Sequence, residues 1–579
     1  MKYVLKYLSA YRKECVLAPL FKMLEALFEL FVPLIIAAVI DTGIGDRDIP
    51  YIIRMCLLLI ALTLVGLVCS ITAQYYASKA AVGSATSLRH FLFQHIQSLS
   101  FTEMDTLGAS TLITRMTSDI NQVQNGVNMV LRLFLRSPFI VFGAMIMAFT
   151  IDVKSALIFV VTIPVLSVVV FGIMLVTKPL YKKIQYHLDK ILAVTRENLS
   201  GVRVIRAFHK EESELAGFLA ANEKLTTLQK YAGRISGLMN PLTYVIMNAA
   251  IIVLIWVGAL RVDSGALTQG QVVALYNYMT QILVELIKLA NLIVSITKAL
   301  ACANRIAETF EVQSSMEEGS RADSVKASDY AVEFRDVSLT YHNAGGESLT
   351  GITFRVKRGE TIGIIGGTGS GKSSLVNLIP RFYDATAGEV LVNGVNVREY
   401  TYEALQRKIS VVLQKAQLFR GSIRDNLSVG NQKASPEEMN RALKISQAMD
   451  FVQNREGGLE AMVEQGGKNL SGGQKQRLTI ARAIVKGADI LILDDSASAL
   501  DYATDAALRK AIREMEQSPT VFIVSQRASS ILYADQIIVL DNGRIAGAGT
   551  HEELLEQNEV YQEIYYSQYQ KEAASHGRG

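Results

Sequence analysis

A chain of 579 residues is long enough for several domains, and a net charge of +4 is too small to argue for nucleic acid as a partner. Half of the residues are hydrophobic and the mean hydropathy is +0.25, high for a soluble protein. The four cysteines, Cys15, Cys56, Cys69 and Cys302, lie in or beside apolar stretches without metal or redox spacing, which argues against a disulfide framework.

The apolar residues crowd into the first 300 positions. The basic N-terminus (Lys2, Lys6, Arg12, Lys13) runs into a span with no small-residue cleavage site, so no cleavable signal peptide is expected. Windows of about 20 apolar residues, the length a helix needs to cross a bilayer, fall at about 15–40, 55–78, 130–151, 155–177, 240–260 and 271–297. The second is the clearest, with no charge between Met55 and Ser78; the first and last carry charges. Basic residues near span ends set orientation. Residues 79–129 (Lys79, Arg89, Arg115) and 178–239 (Lys178, Lys182, Lys183) are basic. The short loops are not: 41–54 holds Asp41, Asp46 and Asp48, and 261–270 sets Arg261 against Asp263. Both termini and the two long loops are therefore expected in the cytoplasm. Those long loops keep helical periodicity with few breakers, so the spans continue as helices beyond the bilayer, each pair joined by a turn.

Charges inside spans point to function. In the sixth span Asn277, Gln281, Glu285, Lys288 and Asn291 recur at spacings of 4, 4, 3 and 3, within an arc of about 120°. Such a stripe faces water or a partner helix. It either lines a transport path or holds a Glu285–Lys288 pair that neutralises itself. In the first span Lys22, Glu25 and Glu29 share a face; Lys22 snorkels or pairs with Glu25, or the face meets substrate.

Residues 311–329 are polar and aperiodic and read as a linker. From Tyr330 strand patterns begin (AVEFRDVSLTY, GITFRVKRG, TIGIIG), and the last runs into GGTGSGKS at 366–373. Strand, glycine-rich turn and helix is the setting a phosphate-binding loop requires. Gly366, Gly369 and Gly371 let backbone N–H groups wrap phosphates. Lys372 supplies charge to the β and γ phosphates, and Ser373 offers a hydroxyl to Mg²⁺. Gly367, Thr368, Ser370 and Ser374 complete the nucleotide-binding loop. About a hundred positions on, LSGGQ (470–474) precedes the apolar strand DILILDD, which ends in Asp494 and Asp495. The alternation of strands and helices after 330 implies an α/β domain.

The P-loop, LSGGQ and the aspartate-ended strand identify this half as a member of the ATP-binding cassette (ABC) superfamily. Residues 1 to about 565 resemble a half-transporter of the ABC exporter type, six spans followed by one nucleotide-binding domain. FTEMDTLGASTLITRMTSD (101–119) and ENLSGVRVIRAF (197–208) resemble that family's intracellular segments, whose tips are short coupling helices, here near Met104–Thr111 and His209–Glu212. The resemblance implies ATP and Mg²⁺ as cofactors. It makes Tyr341, 31 residues before Lys372, the adenine-stacking aromatic. Asp494, with Ser373 and Gln414, becomes the metal site, and Gln414 joins that site to the membrane contacts. Asp501, in SALD, belongs to the loop that crosses a dimer interface. Ser471, Gly472, Gly473 and Gln474 contact the γ-phosphate held by a partner's P-loop.

Two positions depart from the family. Where it has a water-polarising glutamate stands Asp495, whose carboxylate is set back by about 1.5 Å; a displacement of about 1 Å can cost on the order of 10²-fold. Where it has a switch histidine stands Gln526, which cannot protonate. Both fall in the catalytic site on this chain's own P-loop, while the LSGGQ lent to a partner is intact. That pattern resembles the degenerate-site subunit of a bacterial heterodimeric multidrug-type exporter. The alternatives are a homodimer with two weak sites and a regulatory, hydrolysis-poor membrane subunit. Six spans exclude a soluble ABC ATPase, and importers usually keep spans and ATPase on separate chains.

The expected architecture is an all-α polytopic membrane domain over 1–310, its six long helices extending into the cytosol, a linker over 311–329 and an α/β P-loop ATPase domain over 330–579. The expected function is ATP-driven export of amphipathic drug- or lipid-like compounds across a bacterial plasma membrane, with a peptide or lipid exporter or flippase as the alternative. No protease domain precedes the first span, which disfavours a leader-trimming peptide exporter. The expected partners are a second half-transporter, membrane lipid and a small amphipathic substrate, and not nucleic acid.

Overall fold

The computed structural model describes residues 2–322, 328–342 and 344–576. The chain divides into two units, one of Met1–Gln97 and Ser110–Val312, the other of Ser98–Ala109 and Gln313–Gly579.

The first unit is helical. Among the described residues, six segments are long and apolar enough to cross a membrane: Tyr3–Ile44, Ile49–Ser98, Ala109–Ile151, Val153–Ser200, Glu211–Asp263 and Gln269–Glu311. The first has 42 residues, roughly 60 Å of helix at about 1.5 Å per residue, about twice the hydrocarbon thickness of a bilayer. The second segment explains how such helices meet. Leu57, Ile60, Leu64, Val68 and Ile71 stand exposed, whereas Ala73, Ala77, Ala80, Ala81 and Ala85 are buried. Small residues at this spacing let helix backbones approach closely without a water-driven force.

The breaks between segments have local causes. Asp152 is extended, and its carboxylate accepts from the backbone of Ser155 at 2.9 Å, capping the fourth segment. Thr268 and Gln271 form a reciprocal capping box at the start of the sixth. Gly201 ends the fourth; a short helix, Val202–Ala207, follows, and the chain reverses at His209, whose φ is +52°. The short helix therefore lies just before the expected tip at His209–Glu212. The other tip helix is Phe101–Leu107, closed by Gly108 at φ +75°, a conformation that glycine adopts without strain. It therefore begins and ends a few residues before the expected Met104–Thr111.

Among the described residues the second unit holds twelve strands: β1 (Tyr330–Leu339), β2 (Leu349–Lys357), β3 (Thr361–Gly366), β4 (Ala387–Val392), β5 (Val395–Asn396), β6 (Ile409–Val412), β7 (Gly421–Ser422), β8 (Met462–Val463), β9 (Ile490–Asp494), β10 (Thr520–Val524), β11 (Gln536–Asp541) and β12 (Arg544–Gly549). The main sheet has the order β12-β11-β3-β10-β9-β6 and is parallel except at its β12 edge. Every residue of β9 and β10 is buried, as expected of parallel strands covered on both faces. A second, antiparallel sheet runs β2-β1-β4-β5. Phe334 and Phe354 stack at 4.6 Å across its β1–β2 pair.

The first part of the expected linker is tied down. Gly319 and Arg321 donate backbone hydrogen bonds to the carbonyls of Tyr400 and Glu399, and Thr401 returns one to Arg321. Residues 323–327 of that linker lie outside the described residues.

Candidate nucleotide site

Ligands in open α/β sheets bind beyond the carboxyl ends of the strands. Three adjacent strands end together here: β3 runs into the P-loop, β9 ends at Asp494, and β10, between them, leads to Gln526. Glycine is required at two loop positions on geometric grounds. Gly371 has φ +96°, and a Cβ there would stand 2.8 Å from the Ser348 carbonyl oxygen; a Cβ on Gly366 would stand 2.2 Å from the Leu540 carbonyl oxygen.

Lys372 Nζ donates to the carbonyls of Gly366 (2.9 Å) and Gly367 (2.7 Å), so the loop itself holds the ammonium group over its own mouth. Burial lowers the Lys372 pKa, against the opposing pull of Asp495 and Asp494. Ser373 Oγ donates to Asp494 Oδ1 at 3.1 Å, and Gln414 Nε2 to Asp495 Oδ2 at 3.2 Å. The Asp494 carboxyl is raised above its ordinary value, chiefly by burial; the Ser373 hydrogen bond opposes this and the charge of Asp495 adds to it. Asp495 sits at φ +45°. That left-handed conformation is sparsely populated and is held here by its N–H bonded to the Val524 carbonyl at 3.0 Å. These groups, with Thr368, Gly369, Ser374 and Gln526, line one cleft of about 500 Å³, a volume within the range of small-ligand sites. The hydroxyl, amide and carboxylate oxygens of Ser373, Gln414 and Asp494 make a hard donor set that fits Mg²⁺.

Tyr341 adjoins this cleft. Its phenol donates to Ser374 Oγ at 3.1 Å, and its ring meets that of Tyr383 edge-on at 5.0 Å. Tyr383 in turn donates to Asp105 Oδ2 at 2.7 Å. The three line a second cavity of about 550 Å³ with Thr340 and His342. Burial pushes both phenols up from their ordinary pKa. Tyr383 and Asp105 are site residues that the sequence reading did not single out; no spacing rule links positions 278 residues apart.

Ser471 and its neighbours lie elsewhere. Ser471 N-caps the helix Gly472–Val485 in a capping box with Gln474. Ser471 and Gly472 are exposed, and nothing lies within 4 Å of a Cβ built on Gly472. Gly473 stands against the Ala499 carbonyl, just before Asp501, which N-caps the helix Tyr502–Arg513 through Thr504. The structure thus gathers the P-loop, Gln414, Asp494, Asp495 and Gln526, with Tyr341 beside them. It places Ser471, Gly472, Gly473, Gln474 and Asp501 outside the described lining of that cleft.

In the helical unit the polar stripe turns inward at its centre. Glu285 is buried and accepts from Arg136 Nη1 (2.6 Å), Ser137 Oγ (2.7 Å) and Lys288 Nζ (2.8 Å); Arg136 Nη2 also reaches Glu29 Oε2 at 2.7 Å. Lys22 pairs with Glu25 at 2.5 Å and donates to Ser70. Asn291, at the end of the stripe, is exposed. The sequence reading does not single out Arg136, although an arginine inside an apolar span, here with Arg132 one turn before it, is itself a signal that a partner exists.

Residues 15–286 match the model of the ABC transporter transmembrane region, and residues 349–498 that of the ABC transporter family. The chain is 37% identical to the uncharacterized ABC transporter ATP-binding protein Rv1273c of Mycobacterium tuberculosis, over 97% of both chains. It is 34% identical to YfiB of Bacillus subtilis, over 99% of this chain and 100% of YfiB. It is 33% identical, over 83% of both chains, to an ATP-dependent lipid A-core flippase of Desulfotalea psychrophila. A solved bacterial Atm1-family ABC exporter with ATP bound shares the fold, with a TM-score of 0.78 at 22% identity, over 97% of this chain and 99% of that one. This chain therefore belongs to the ABC transporters, as a membrane-embedded exporter half-transporter whose six-helix region is fused to one ATP-binding, ATP-hydrolysing domain.

Proposed function

We propose that this chain is one half of a heterodimeric exporter, and that its own ATP site is the hydrolysis-poor one. The observation that carries the reading is the placement of Asp495 and Gln526 in the same cleft as Lys372, apart from the intact signature. The cleft at Lys372 contains Asp495 and Gln526, while Ser471–Gln474 lie outside its described lining. A second chain must then supply the signature for this P-loop, and this chain's intact signature serves the partner's. Asp495 and Gln526 weaken only the site built on Lys372, where Ser373, Gln414 and Asp494 would hold Mg²⁺, whose charge would offset that of the phosphates. Asp495 spends one carboxylate oxygen on Gln414, which further restricts its reach towards an attacking water.

The cargo is an amphipathic, drug- or lipid-like molecule. The lipid reading has its own support in the resemblance to a lipid A-core flippase. The membrane is a bacterial plasma membrane, and both termini face the cytoplasm, as the basic ends of the spans require. The test is to tag this chain, extract it gently from its native membrane and identify what co-purifies at equal stoichiometry. A second half-transporter with glutamate and histidine at the positions matching Asp495 and Gln526 is the expected result. A homodimer of this chain with brisk ATPase activity would overturn the reading.

A further inference from the structure

The loop that carries Gln526 is held from behind by the last helix of the chain. That helix, Glu559–His576, is anchored by Tyr561, which is fully buried and shares a 2.8 Å hydrogen bond with His551 Nδ1. Tyr565 stacks on Tyr569 at 4.3 Å, and both pack against the core that contains Ala528 and Ile531. Two turns after Tyr561 the helix presents Gln568. Its Oε1 accepts from the Ala528 backbone N–H at 2.9 Å, and its Nε2 donates to the Gln526 carbonyl at 2.8 Å. One side-chain amide thus satisfies a donor and an acceptor of the same short loop, fixing both its position and its rotation.

Gln526 has no proton to gain, so its value at the γ-phosphate depends on where its amide stands. We propose that Gln568 is a positioning residue for Gln526, and that the C-terminal helix thereby sets the γ-phosphate contact at this chain's nucleotide site. The inference rests on the reading of Gln526 as the group at the switch position. It assigns to a terminal helix, outside the cleft, control over a step inside it. A backbone shift of about 1 Å at Gln526 is enough to lower a rate on the order of 10- to 100-fold.

The test uses the full-length chain with its co-purifying partner. Photolabelling with 8-azido-ATP marks this chain separately, because the adenine pocket is built on its own Tyr341. Label in the α-phosphate reports occupancy, and loss of label from the γ-phosphate reports hydrolysis at this site. For Gln568→Leu, half-saturation is expected within about twofold of wild type while γ-label loss slows about tenfold. Gln568→Glu keeps the acceptor for Ala528 but sets a carboxylate oxygen against the Gln526 carbonyl, and should be at least as slow as Gln568→Leu. The Gln526→Ala, Gln568→Leu double variant should be no slower than Gln526→Ala alone, since both changes remove one contact. Wild-type hydrolysis in Gln568→Leu, or strict additivity in the double variant, would overturn the proposal. If Gln526→Ala itself hydrolyses at the wild-type rate, the switch reading has failed and the positioning role falls with it.

Discussion

Tyr383 donates to Asp105 at 2.7 Å, and through this one bond the helix Phe101–Leu107 is tied to the pocket of the adenine-stacking candidate Tyr341. Phe101 also packs on Phe382, ring centres 4.8 Å apart. A phenol-to-carboxylate bond is charge-assisted, worth about 1.5–3 kcal/mol, and it aligns the helix where apolar contact alone would let it slide. Tyr383→Phe keeps the ring packing and removes only the bond. Hydrogen exchange of the Met104–Gly108 amides is expected to speed up about tenfold or more, as a loss of about 1.4 kcal/mol in local stability implies. Unchanged protection there would show that the aromatic contacts suffice.

Asp494 gives a prediction with a sign. Burial raises its carboxyl above the ordinary carboxylate value, so the ionised form is disfavoured in the fold. A raised acid contributes stability as its protonated form. That contribution is fully present below the unfolded value, about 3.9, and is lost as pH rises through the folded one. At pH 7 its charge is a net cost. Asp494→Asn should therefore melt higher than wild type at pH 7, and the difference should shrink as pH falls towards the ordinary carboxylate value. The same variant should lose Mg²⁺-dependent ATP retention, since the amide carries no charge for the cation. A lower melting temperature at pH 7 would mean that the Ser373 bond outweighs the burial.

Restoring the two departures tests the degenerate-site reading directly. Asp495→Glu with Gln526→His should raise hydrolysis at this chain's site by about 10²-fold, read by γ-phosphate label loss on this chain. Asp495→Glu has a specific obstacle, because the Gln414 amide already binds this carboxylate at 3.2 Å. Adding Gln414→Ala should therefore not rescue a silent double variant, since it also removes a donor of the metal site. A double variant that stays slow would overturn the reading that Asp495 and Gln526 are what make this site hydrolysis-poor.

What could be read from the chain follows the range of the interactions. Gly366–Ser374 sit on one strand–turn–helix unit, so their chemistry is local and legible. The Lys22–Glu25 pair, one helical turn apart, is legible for the same reason. Asp495 and Gln526 were found by their place in motifs, but the φ of +45° at Asp495 and the clamp on Gln526 were not. The clamp joins residues 42 apart, and the Arg136–Glu285 pair joins residues 149 apart. Contacts of that kind are made by packing and leave no period in the sequence. The segment around Gly319 reads as free linker because its ties reach positions distant in sequence: backbone bonds from Gly319 and Arg321 to Tyr400 and Glu399, an Arg321–Glu399 ion pair, and a close approach to Glu399 that leaves no room for a Cβ at Gly319.

Arg136 and Glu285 decide how the polar stripe of the sixth span is to be tested. Replacing Glu285 alone by leucine does not simply remove a polar surface. It strands Arg136, whose one remaining ion-pair partner among the described residues is Glu29, a side chain 40% exposed. Breaking one partner of a buried pair costs about 3–5 kcal/mol, whereas replacing both by apolar residues is often neutral or stabilising. Glu285→Leu is therefore expected to lower the yield and melting temperature of the detergent-purified protein, and Arg136→Leu with Glu285→Leu to recover most of the loss. Export by the double variant then separates two roles. Retained export makes the cluster a brace between the first, third and sixth spans. Lost export at restored stability makes it part of the transport path, because folding no longer explains the defect.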